Sequence, residues 1–164
     1  VVKEGKEEGD VYIVQFKAAD TAKPSSRITK DLITISYPEH LTPNDALVQK
    51  EAVKACTRAL RKLAERTLPS FLHHLAQTYG YEYSEVRIKN VQTRWGSCSS
   101  NRIINLSVWL MQLPEPLIEY VLCHELTHLN NMNHSTKFWE ELSTMIPDYK
   151  KRKQMLKEFR PALM

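Results

Sequence analysis

The sequence predicts an α+β fold. Three observations carry that reading. Short β-branched runs of strand length are bounded by turn residues, long helical stretches are punctuated by proline and glycine, and one mostly apolar helical run ends in clustered histidines.

Taken in order, Val11–Phe16 and Leu32–Ser36 read as strands, with Lys23-Pro24-Ser25-Ser26 as the turn between them. Pro43-Asn44 opens a helix to about Arg66, with Leu47, Ala55, Leu60 and Leu63 as its apolar positions. Pro69 is expected to break it, and a second helix then runs to Tyr79, where Gly80 stops it. His73 and His74 lie on that second helix. Adjacent side chains point in different directions there, so both are read as structural, and His40 as solvent-exposed. Strands follow at Glu85–Lys89, Val91–Trp95 and Arg102–Ser107, with Gly96–Asn101 connecting the last two. The first ten residues are acidic and glycine-rich and are expected to fray.

From Pro114 to Asn130 the chain reads as the most buried helix. Leu117, Val121, His124 and His128 form one stripe, and Ile118, Leu122, Leu126 and Leu129 a neighbouring apolar one. Asn130–Asn133 can turn the chain, since asparagine tolerates the left-handed conformation that ends helices. Ser135 is a natural N-cap for a further helix to about Ile146. The tail, Asp148–Pro161, reads as a last helix with Tyr149, Leu156 and Phe159 inward.

Composition sets bounds. At 164 residues, 42% hydrophobic and 26% charged, the chain suits one ordinary soluble domain. No run of 18 apolar residues is present to span a membrane, and no signal-peptide core opens the chain. Cys56, Cys98 and Cys123 form no C-x-x-C pair, which points to reduced thiols and a cytoplasmic location. From Asp148 onward there are six Lys or Arg and two acids, which accounts for the whole net charge of +4. The default reading is a solvated helix face. A phosphate or nucleic-acid contact is the other possibility, and nucleic acid is not expected as a partner.

The chemistry lies in His124-Glu125-Leu126-Thr127-His128 and in His134, six positions further on. Positions i and i+4 share one helix face, so His124 and His128 can grip one ion, and Glu125 can act on a water beside it. His134 completes three protein ligands and leaves one position open, the pattern of a catalytic zinc. The spacing is that of the metzincin motif, with Asn131 in place of its glycine. Met145 is the candidate for that group's Met-turn, although core packing explains it as well. Cys98 is a further candidate ligand or nucleophile, and Cys123 a packing residue.

Several motifs recur in order: Arg94-Trp95-Gly96-Ser97-Cys98-Ser99, Ile104-Asn105-Leu106, the helix with His124-Glu125 and His128, and Asn133-His134-Ser135 with Phe138-Trp139. Over about residues 84–160 this block resembles the YgjP-like metallopeptidase family, related to the WLM and SprT zinc peptidases. The resemblance implies a zincin-like fold, with a small, mostly antiparallel sheet packed on the active-site helix. It implies one zinc held by His124, His128 and His134, with Glu125 as base. Two departures concern the substrate edge: the turn is Asn101-Arg102 where relatives often carry glycine, and Ser107 stands where many have asparagine.

The mechanism expected of such residues has Glu125 take a proton from a zinc-activated water and return it to the leaving amine. The free edge of the Arg102–Ser107 strand is expected to hold an extended peptide or unfolded protein. Arg94, Trp95, Asn105 and Tyr149 are the candidate substrate-binding residues, and Trp139 a core or cleft-wall residue. Two other classes stay open. One is a hydrolase of a nucleotide phosphate anhydride, holding phosphate through Arg94 and the basic tail. The other is a non-catalytic zinc module that binds protein or nucleic acid.

Overall fold

The computed structural model describes residues 12–161, so the expected fraying of the first ten residues, and Val11, lie outside the described part. The chain is described as two compact units, one reaching to Leu60 and one beginning at Arg61.

The first unit contains β1 (Ile13–Ala19), β2 (Ser25–Thr29), β3 (Leu32–Pro38) and the opening of α1 (Ala46–Tyr79). Its sheet has the order β1-β3-β2, with β3 parallel to β1 and antiparallel to β2. Ser25 and Ser26 therefore begin a strand and not a turn. Their polarity hides it, because β2 is an edge strand whose hydroxyls are used. Ser26 donates to Glu51 at 2.6 Å and accepts from Arg58 at 2.7 Å, which ties the edge to α1. Ile33 and Ile35 meet Val48, Ala52, Ala55, Cys56 and Ala59 in the core. The helix face that packs is thus mainly small residues, which lets sheet and helix approach closely. Of the apolar positions expected, Ala55 is on that face, Leu60 and Leu63 are half-buried, and Leu47 is 63% exposed. His40 is exposed, as expected.

Pro69 does not break α1 but lies inside it. Leu68, Leu72, Leu75 and Ala76 are all buried around it. Continuing that apolar face outweighs the backbone hydrogen bond that proline removes. Gly80, at φ +76°, ends the helix in the conformation glycine adopts most readily.

The second unit continues from α1 with β4 (Glu85–Lys89), β5 (Gly96–Cys98), β6 (Ile103–Ser107), a 3₁₀ turn (Val108–Gln112), α2 (Glu115–His128), α3 (Thr136–Met145) and α4 (Tyr149–Leu156). The α+β class holds, but both sheets are mixed and not mostly antiparallel. Here β6 is central, parallel to β4 and antiparallel to β5. This overturns the expectation that the Arg102–Ser107 strand has a free edge: both its edges are taken, and β4 and β5 are the outer strands. Val91–Trp95 is also not a strand. It is a loop held to the end of β6 by two bonds, Ser107 Oγ donating to Val91 O at 2.6 Å and Ser107 N to Trp95 O at 2.9 Å, while Trp109 Nε1 of the 3₁₀ turn donates to the preceding Asn90 Oδ1 at 2.8 Å. Its β-branched and aromatic residues imitate a strand, but its hydrogen bonds go elsewhere.

The β5–β6 turn places Arg102 at φ +64°, the region that favours glycine. Its guanidinium offsets the strain by donating to the carbonyls of Glu82 and Leu129. Leu129 follows the last residue of α2, so the turn also satisfies a carbonyl at that helix end. On α2, ten residues from Leu117 to His128 are buried, covering almost every direction around the axis. Met145 is buried as well, consistent with core packing. Among the described residues no helix is long and apolar enough to cross a membrane.

Candidate metal centre

His124 and His128 lie one turn apart on α2, and His134 sits just before Ser135, the N-cap of α3. The fold brings all three together. His124 Nε2 is 3.2 Å from His128 Nε2 and 3.1 Å from His134 Nε2. A ligand nitrogen from each ring lies within 4.8 Å of the others.

The tautomer of His128 follows from its far side. Its Nδ1 lies 2.9 Å from the carbonyl of Asn131, which can only accept, so Nδ1 carries the hydrogen and Nε2 presents a lone pair. Converging lone pairs repel unless a cation stands between them. Two nitrogens each about 2.0–2.1 Å from a tetrahedral zinc stand roughly 3.3 Å apart, close to the separations found here. The donor set therefore fits zinc. Burial, with His128, His134 and Lys153 adding positive charge, pulls His124 down to about 3, and burial also lowers His134. Both rings are held in the neutral form that binds metal.

Aromatic residues of α3 fence the cluster. Phe138, fully buried, has its ring 4.6–4.9 Å from the three imidazole centroids. Trp139 stacks on His134 at 5.7 Å. The turn before α3 is braced by Glu141, which accepts from Tyr81 at 3.0 Å and from Asn130 at 3.2 Å. The α2–α3 connection that carries His134 is thus tied at its start.

Glu125 is 5% exposed and its Oε2 is buried without a hydrogen-bond partner. Burial pushes its carboxyl up to about 8, with the charge of Arg94 pulling the other way. Gly96 of β5 is pressed against it. A Cβ at Gly96 would lie 3.1 Å from Glu125 Cγ, 3.2 Å from Oε1 and 3.1 Å from the Asn105 carbonyl. The glycine is needed here for space, not for its φ.

A cleft of about 340 Å³ opens over this arrangement, lined on one side by Trp95, Gly96, Tyr120, Val121, His124 and Glu125. Lys153, Leu156, Lys157 and Arg160 line the remainder. Of the residues singled out for substrate binding, Trp95 lines the cleft. Arg94 is exposed and acts on Glu125 only through its charge. Asn105 is not among the lining residues and donates to Ser97 Oγ at 3.2 Å. Tyr149 stacks on Trp139 at 5.3 Å and lines a neighbouring pocket. His73 and His74 are exposed and apart from the cluster.

Sequence reasoning missed Tyr120 and the three cations. Tyr120 lies one turn before His124, a spacing that places it on the ligand face. Burial first, then Glu125 and Tyr149, push its phenol up to about 12, so it remains a donor. The cations belong to the basic tail, read there as a solvated face. The Cys98 thiol is pushed up to about 11 by burial and by Glu125, which leaves it a poor thiolate ligand or nucleophile.

A model of the YgjP-like family, described as a metallopeptidase domain, matches residues 8–159. No curated protein matches the chain. Among solved structures, the metallopeptidase zymogen abylysin of Pyrococcus abyssi is 26% identical, with a TM-score of 0.50 over 57% of this chain and 95% of its own. The metallopeptidase zymogen jannalysin of Methanocaldococcus jannaschii is 21% identical, with a TM-score of 0.46 over 56% of this chain and 96% of its own.

Proposed function

The chain belongs to the YgjP-like family of metallopeptidase domains, and on that premise we propose that its catalytic centre is the cleft over α2, with one zinc per chain held by His124, His128 and His134 and Glu125 as the general base. The observation that carries this reading is the convergence of three imidazole nitrogens beside a buried, unpartnered carboxylate oxygen. A merely structural zinc site has no use for that carboxylate, which weighs against the non-catalytic module.

Zinc, when bound, acidifies a water and polarises a carbonyl. The protein's own groups do the rest. Asn131 fixes the His128 ring, and Phe138 and Trp139 restrict the three imidazoles. Glu125, short of hydrogen-bond donors, has raised proton affinity, so it can take a proton from water and return it to the departing amine. The outer strand β5, running past Glu125, offers backbone groups to an extended peptide in place of the edge first expected on β6. The free thiols of Cys56, Cys98 and Cys123 support a reducing, cytoplasmic setting.

A substitution at Gly96 tests the contact with the base. Gly96→Ala should lower kcat by about tenfold, because the added methyl group must displace the Glu125 carboxylate, and misplacement by 1 Å costs about 10²-fold. Bound zinc should stay at the wild-type level. An unchanged kcat would mean that Glu125 is not held in place by this glycine.

Peptidase and nucleotide hydrolase are separated by assaying zinc-loaded protein on unfolded protein, flexible peptides and nucleoside triphosphates side by side. Main-chain recognition predicts that flexible chains are cut with loose side-chain selectivity and compact proteins are spared. Arg94→Ala should have a small effect, since Arg94 is exposed and outside the cleft. Nucleotide turnover without any peptide cleavage would overturn the reading.

A further inference from the structure

The cleft has an electrostatic asymmetry that the hydrolytic chemistry does not use. Of its ten lining residues, Glu125 is the one acid and is buried, whereas Lys153, Lys157 and Arg160 are exposed cations on one wall. None of the three has a carboxylate partner among the described residues. Arg160 donates to the carbonyls of Lys157 and Phe159 at 2.9 Å, which leaves its charge uncompensated. Arg152, one position before Lys153, behaves differently: it pairs with Glu119 at 3.2 Å and Asp148 at 3.1 Å and so anchors α4. On α4, Arg152 is thus paired and faces the protein, whereas the neighbouring Lys153, with Lys157 and Arg160 just beyond the helix, is unpaired at the cleft.

The unpaired lysines also reach a second pocket. A cavity of about 290 Å³ is lined by Trp139, Tyr149, Lys150, Lys153, Gln154 and Lys157, so Lys153 and Lys157 border both spaces. Lys153 Nζ lies 4.3 Å from the centroid of the Trp139 ring, which attracts the ammonium and holds it near the histidines. An ammonium in that place repels a bound cation and attracts an anion. The expected ligand carries negative charge and approaches along α4.

We infer that Lys153, Lys157 and Arg160 form a substrate subsite for a carboxylate, supplied by an Asp or Glu side chain or by the peptide's C-terminus, and so determine which peptides enter the cleft. The inference rests on the peptidase reading for the identity of its ligand, while the charge asymmetry stands apart from it.

The test measures binding and cleavage separately. Three fluorescent decapeptides of one sequence are compared on zinc-loaded protein by anisotropy: one with an internal Glu and an amidated end, one with Gln there and a free C-terminal carboxylate, and one with Gln and an amide. A charge-assisted contact on a partly exposed wall should tighten binding by about tenfold over the all-neutral peptide, with the gain shrinking as salt rises. The favoured carboxylate identifies its source. In K153E/K157E the order should invert, and a fourth decapeptide with Lys at the internal position and an amidated end should bind most tightly, a result that mere loss of folding cannot produce. Equal affinity for all three peptides with wild-type protein, or no measurable binding of any, overturns the inference. Selective binding without cleavage of any peptide would instead sink the peptidase reading and leave the carboxylate subsite standing.

Discussion

Glu125→Gln should reduce hydrolysis by about 10²-fold or more while bound zinc stays at the wild-type level. The two side chains are nearly the same shape, so the contact with Gly96 survives, but the amide cannot accept a proton. The same variant makes a pH test of the metal-free protein. Burial raises the Glu125 carboxyl from 4.5 to about 8, so its neutral form is favoured in the folded state. A raised carboxyl contributes stability that is full below its unfolded value and is lost as pH climbs through the folded one. Between about pH 4.5 and pH 8 metal-free wild type should therefore lose stability relative to Glu125→Gln, and the opposing contributions of the lowered His124 and His134, present in both proteins, cancel in that difference. Thermal melting at several pH values measures this. A Gln variant that retains full activity would remove Glu125 from the mechanism.

His128→Ala should lower zinc affinity by more than about 100-fold, since loss of a group that merely supports a ligand already costs 10–100-fold. Of the three rings, His128 is the most firmly set, being on a buried helix with its Nδ1 bonded to Asn131. His73→Ala and His74→Ala, on an exposed face of α1, should retain zinc fully. Elemental analysis after dialysis against a competing chelator distinguishes these outcomes. Full occupancy in His124→Ala, His128→Ala and His134→Ala alike would remove the centre from this cluster.

The pairing of His124 and His128 was legible because helical spacing alone determines it. Two imidazoles four residues apart must share a face, and a short asparagine-rich turn has few ways to return the third. The strand that flanks Glu125 was not legible in the same way. Gly96-Ser97-Cys98 has no β-branched residue and becomes a strand only through its partner β6, so a local reading ended a strand at Trp95, took Gly96–Asn101 as a connection and gave the free edge to Arg102–Ser107. Pro69 misled for the opposite reason: a strong local signal was outweighed by burial on both sides of it. The cleft cations were visible only as a basic tail, because periodicity does not say which lysines face a cavity.

The outer strand has a consequence for the protein's own solubility. To receive a peptide, a sheet must keep unpaired backbone groups, and unpaired backbone groups also recruit other copies of the same chain. Here the open strand is only three residues long. The opposite border, β4, exposes Glu85, Arg87 and Lys89, charges that discourage growth of the sheet on that side. A substrate needs to stay paired for one turnover only, whereas an aggregate needs a ladder that lasts. A three-residue border is long enough for the first and too short for the second.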